Sequence, residues 1–208
     1  MDGLPAFLLL TVVLSLTPGP DDVLVLGSAL RGGPRSGAAT AVGAAAGALT
    51  WGAATAVGLA AVVSRSDAAY DTIRLAGAAY LVVLGAVPLV TGALRRADPV
   101  PVPVAGVGAP SLRPAFTAGL MSDLLNPKIG LFYVAVVPQF IPPGQPPLGW
   151  SLLLCAIDVA VALTWLLILT WMAHAAVHWL QRPAVVRWSQ ACFSVSLVAL
   201  GGSVALGL

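Results

Sequence analysis

Leu16-Thr17-Pro18-Gly19-Pro20-Asp21-Asp22 interrupts an apolar stretch running from Leu4 to Leu30, and its reading decides the fold. Each proline lacks an amide hydrogen and crowds the preceding turn, so two of them around a glycine leave several backbone groups without helical partners. At membrane depth, such backbone persists only where it is packed in protein or lines a polar cavity. Two acids follow the break at once. The segment therefore predicts a broken helix carrying inward-facing carboxylates, which makes it a candidate site.

Working outward, the 208 residues are 59% hydrophobic and 9% charged, with no glutamate. Mean hydropathy is +0.95. This is the composition of an integral membrane protein. A bilayer span needs about 20 mostly apolar residues, and punctuation by charge and proline divides the chain into six: about 4–30, 37–63, 72–94, 114–140, 148–172 and 188–207. The first is expected to stay as a span, because Met1-Asp2-Gly3 supplies no basic start and the apolar run continues past the break. The whole chain, 1–208, reads as one membrane domain.

Short loops rich in Lys and Arg stay cytoplasmic. Arg31 and Arg35 follow span one, Arg95, Arg96 and Arg113 follow span three, and Arg182 and Arg187 follow span five. The loop around Gly144-Gln145 has none, and Arg65 and Arg74 are matched by Asp67 and Asp71. Both termini are thus expected outside the cytoplasm. Tyr70 and Trp150 at the outer interface, with Trp179 and Trp188 at the inner one, fit aromatic belts. The net charge of +2 is a topology signal, and no basic face points to nucleic acid. Cys155 and Cys192 read as buried packing residues, with no disulfide framework.

The stretch from Ala97 to Pro114, rich in proline, reads as a semi-extended linker between three spans and three. Repeat one covers about 4–94, the linker about 95–113 and repeat two about 114–207. An odd number of spans per half makes the halves enter the bilayer in opposite directions, as an inverted repeat requires. Both halves share a defect. Span one breaks at Pro18-Gly19-Pro20 and span four at Asn126-Pro127-Lys128, and paired interruptions mark a transporter's binding site. From a rise of about 1.5 Å per residue, both breaks fall near mid-bilayer, with Asp21, Asp22, Asp123, Lys128 and Asp158 in one layer. An isolated charge there costs about 2.5–3.5 kcal/mol while each large aliphatic returns only about 0.3–0.6 kcal/mol. These side chains should therefore point inward, with Asp21 and Asp22 also able to cap the half-helix after Pro20.

At these residues the chain resembles the LysE/RhtB amino-acid efflux family of the lysine exporter superfamily. The resemblance rests on four stretches in order: Leu16-Thr17-Pro18-Gly19-Pro20-Asp21 with Arg31-Gly32-Gly33-Pro34-Arg35-Ser36-Gly37; the small-residue span two; Gly77-Ala78-Ala79-Tyr80-Leu81-Val82-Val83-Leu84-Gly85; and Leu124-Leu125-Asn126-Pro127-Lys128 followed by Pro138-Gln139-Phe140. It implies a small inner-membrane exporter of amino acids driven by the proton gradient, with no cofactor and no enzymatic activity. A homodimer stays open. Asp22 and Asp123 depart from the family pattern, which has an apolar residue and an asparagine there, so four acids face one lysine. A cation or metal-ion exporter of the same superfamily is the alternative.

Under this reading, half-helix amides and Lys128 take the substrate carboxylate, Asp21 and Asp158 take its ammonium, and one buried acid exchanges protons. Lys128 in a salt bridge to Asp123 or Asp21 is the structural alternative. The glycines and alanines of span two are expected to pack against the broken helix of span one. Gly77 and Tyr80 read as packing and interface residues, and Gln139 sits at a helix stop. His174 and His178, four apart on one face, offer a metal pair without further ligands. Intramembrane protease motifs, Gly-x-Gly-Asp and Gly-x-Ser-Gly, do not occur, and Ser28 and Ser203 have no base in register.

Overall fold

The computed structural model describes residues 3–63, 66–91, 111–173, 175 and 182–206. The stretch expected as a linker lies outside them from 95 to 110, as do Arg65, Arg95, Arg96, His174, His178 and Trp179. Seven α-helices and no strand occur among the described residues. Helix α1 (Gly3–Leu16) ends where Pro18 and Pro20 cannot donate, and α2 (Pro20–Val63) begins on Pro20, whose fixed φ suits a first helical position. Asp21 and Asp22 occupy the first turn of α2, where the helix dipole favours negative charge.

Helix α2 runs 44 residues, and Arg31 to Ser36, expected as a loop between spans one and two, is absorbed into it. The chain turns there at one residue. Gly33 adopts φ 74° and ψ −179°, a conformation open essentially to glycine, and Pro34 restarts the helix behind it. A straight helix of that length would be about twice as long as the hydrocarbon is thick. Helix α3 (Asp67–Thr91) follows.

The second broken element is more irregular than its sequence foretells. Helix α4 (Leu112–Leu124) stops before Asn126, and α5 (Pro127–Leu131) passes into a π turn over Phe132–Val136 and a 3₁₀ turn over Val137–Phe140. The two parts of this segment meet at 50°. Helices α6 (Pro147–Trp171) and α7 (Pro183–Leu206) complete the fold. By length and composition, α2 and α6 can each cross a membrane, and the bent segment makes a third such crossing.

Backbone contact at small residues holds the elements together. A Cβ on Gly43 would collide with the carbonyl of Phe116, and one on Gly119 with the carbonyl of Thr40, so α2 and α4 touch main chain to main chain. The expected packing of span two on the broken helix of span one is present, with Ala41 and Ala44 against Val25, Leu26 and Ala29, and α4 is a second partner. Gly37 meets Ala29 in the first half of α2, while Gly43 and Gly47 pack on α4, where Gly119 lets the two main chains touch. Helices α3 and α7 pair the same way, Gly85 against the Ser194 carbonyl and Gly201 against that of Ala78. One buried cluster joins Phe7, Leu10 and Leu14 of α1 to Phe132, Tyr133 and Leu154. A second joins Val25, Leu26 and Ala29 to Ala41, Ala44, Leu166 and Leu169.

A candidate substrate cavity at two interlocked breaks

The two breaks supply each other's missing partners. Ending α1 at Leu16 leaves carbonyls at the negative end of its dipole. The Lys128 ammonium, carried by α5 just past the second break, donates to the carbonyls of Leu14 and Thr17, each at 2.8 Å. It also lies 5.6 Å from the centre of the Phe193 ring, within cation–π range. The anticipated salt bridge to Asp123 or Asp21 is thus not where these two bonds go, because carbonyls at a helix end already offer a negative site.

Asp21 returns the exchange. One carboxylate oxygen accepts from Ser122 Oγ on α4, and the other accepts from Asn126 Nδ2 at 2.8 Å. Asn126 is meanwhile the N-cap of α5, its Oδ1 accepting from the Lys128 amide at 3.0 Å. Asp22 is likewise engaged twice: Oδ2 accepts from the Gly19 amide at 2.7 Å and Oδ1 from Trp165 Nε1 at 2.9 Å. Its bond to Gly19 reaches back across the first turn, as the acidic member of a capping box does. One amide at each break, expected for a substrate carboxylate, is therefore occupied by the chain's own side chain.

Asp158 on α6 accepts from the Tyr133 hydroxyl at 2.9 Å, and that hydroxyl lies 3.6 Å from Cys155 Sγ. Among the described residues the other oxygen of Asp158 has no partner, nor does one oxygen of Asp123, and both residues are buried. Gly47 makes room for Asp123, since a Cβ there would come within 2.8 Å of its carboxylate. All five charged residues, Asp21, Asp22, Asp123, Lys128 and Asp158, line one cavity of about 50 Å³, walled also by Leu14, Ile129 and Trp165. Of the remaining candidates, Pro18, Gly19, Pro20 and Pro127 shape the breaks rather than the wall, and Asn126 joins them from behind Asp21.

Sequence reasoning missed Ser122, Trp165, Tyr133 and Phe193. Trp165 stands seven residues after Asp158 on α6 and so shares its helix face, while Ser122 directly precedes Asp123 in the last turn of α4. The π turn sets the direction of Tyr133, which no periodic pattern encodes. Two expectations change at the periphery. Cys192 is exposed on α7 rather than buried, while Cys155 is buried, because Cys192 falls on the outward face of its helix. Gln139 Nε2 donates to the Ala135 carbonyl, tying down the 3₁₀ turn.

Broken apolar helices around a buried, charged cavity define a helical membrane protein. The chain matches the family model for LysE type translocators across residues 12–207, and it belongs to that family. The uncharacterised membrane protein YrhP of Bacillus subtilis (strain 168) is 28% identical over 204 residues, 97% of each chain. A homoserine/homoserine lactone efflux protein of Salmonella typhi is 28% identical over 208 residues, 96% of this chain and 94% of its own. A leucine efflux protein of Salmonella typhimurium (strain LT2) is 28% identical over 158 residues, 74% of this chain and 71% of its own. No solved structure matches the chain.

Proposed function

We propose that the protein exports an amino acid, or a close derivative, across the plasma membrane through this cavity by secondary active transport coupled to protons. The observation that carries the reading is the composition of the cavity wall. Asp21 and Asp22 come from the first half of the chain and Asp123, Lys128 and Asp158 from the second, so the polar site lies where the two halves meet. The relatives named for efflux of homoserine, its lactone and leucine support an amino-acid substrate. A volume of about 50 Å³ accommodates water but not an amino acid. Loading therefore requires the wall to open, and the π and 3₁₀ turns beside Tyr133 are the irregular backbone available to move.

Six spans arranged as two inverted trios are part of this reading. Dividing α2 at Gly33 yields two crossings, α1 joins the first of them across the Pro-Gly-Pro break, and the bent segment, α3, α6 and α7 supply the others. The reciprocal bonds, Lys128 to the first break and Asp21 to the second, are what a pseudo-twofold relation between the breaks would produce. Both termini lie outside the cytoplasm in this arrangement.

Amino-acid pools test the function. Cells overproducing the protein and loaded with dipeptides are expected to lose particular amino acids faster than controls. Unchanged efflux across the whole panel, or altered metal tolerance in its place, would replace the reading with export of a different cation.

A further inference from the structure

The four acids around the cavity do not share one chemical situation. Asp21 and Asp22 use both oxygens, toward Ser122, Asn126, Gly19 and Trp165. Asp123 and Asp158 are 4% and 3% exposed, line the same cavity from α4 and α6, and each keeps a buried oxygen with no donor among the described residues. A carboxylate oxygen buried without a donor is costly, and bonding a proton or a cation removes that cost. Four carboxylates face one ammonium here, and that ammonium spends two bonds on the Leu14 and Thr17 carbonyls.

We propose that Asp123 and Asp158 are the carboxyl groups that take up and release protons during the transport cycle, while Asp21 and Asp22 are fixed struts that tie the two breaks together. The inference rests on the reading of the cavity as the transport site and assigns its proton-carrying residues. A proton arriving from outside forms an O–H bond at a free carboxylate oxygen, and the same bond breaks when the proton leaves toward the cytoplasm. No other bond changes. The titratable groups facing the pair are Asp21 and Asp22 from α2, Lys128 from α5, Tyr133 from the π turn and Cys155 from α6. Tyr133 acts as a positioning residue, donating to one oxygen of Asp158 so that the other stays available.

Dicyclohexylcarbodiimide, an apolar reagent that captures protonated carboxyl groups as stable adducts, tests the assignment in full-length protein held in lipid vesicles. Mass-spectrometric mapping is expected to find adducts on Asp123 and Asp158, increasing as the medium is acidified, with Asp21 and Asp22 unmodified. Asp123→Asn and Asp158→Asn should each remove one adduct and keep the other while Asp21 and Asp22 stay unmodified, which shows that each variant keeps its folded breaks. Adducts on Asp21 or Asp22 instead, or none on Asp123 and Asp158 from mildly acid to mildly alkaline medium, overturn the proposal. Labelling of the pair in a protein that exports no amino acid would leave this assignment standing and sink the export reading. Export with labelling at Asp21 or Asp22 would do the reverse.

Discussion

Lys128 is the only lysine in the chain, and its ammonium closes the end of a helix more than a hundred residues away. Hydrogen bonds to charged groups contribute about 1.5–3 kcal/mol each, so Lys128→Met should destabilise the protein by several kcal/mol and lower its melting temperature in detergent. Lys128→Arg is expected not to restore it, since a planar guanidinium replaces a compact point charge. At Asp22, Trp165→Phe leaves a buried oxygen without its indole donor, a cost of about 1–3 kcal/mol visible in the same melting assay. Asn126→Ala removes both the cap of α5, about 1 kcal/mol, and a donor to Asp21. It should therefore cost more than loss of a cap alone. Asp21, Asp22, Asp123, Lys128 and Asp158, which all line one cavity, were legible as a group from residue counting. Which of them had spare oxygens was not, because that depends on donors brought from distant helices.

Two glycines do different work among the elements. Gly33 turns the chain by backbone conformation alone, with open space around it, so Gly33→Ala is expected to cost about 1–3 kcal/mol through strain. Gly119 works by lacking a side chain, letting α4 press on the Thr40 carbonyl of α2. Gly119→Val should push the helices apart, widen the wall near Asp123 and reduce the yield of folded protein in the membrane, read by size-exclusion profile. The Pro-Gly-Pro and Asn-Pro interruptions were readable because proline always removes a donor. Pro138 marked the helix stop where the 3₁₀ turn falls, but nothing in the local sequence marked the π turn before it, whose Phe132 and Tyr133 pack into the core cluster.

For the whole molecule, the arginine distribution supports the proposed orientation, with both termini outside the cytoplasm, and fusions can test it. Alkaline phosphatase, active only outside the cytoplasm, is expected to be active when joined at either terminus and inactive when inserted beside Arg35. Activity at Arg35 would invert the proposed arrangement. Membrane class and family were open to inspection from composition and four ordered motifs, and the family match across residues 12–207 agrees with them.

What the amino-acid order determined alone was where helices must fail and which ionisable groups lie at the depth of those failures, for both follow from the covalent chemistry of proline and from counting residues. What only tertiary structure decided was who satisfies whom: Lys128 on carbonyls rather than carboxylates, Asp21 on Ser122 and Asn126, Asp22 on Trp165, and Asp123 and Asp158 with an oxygen to spare. Those pairings join residues more than a hundred positions apart in several cases, and helix packing sets them at distances that no local pattern encodes.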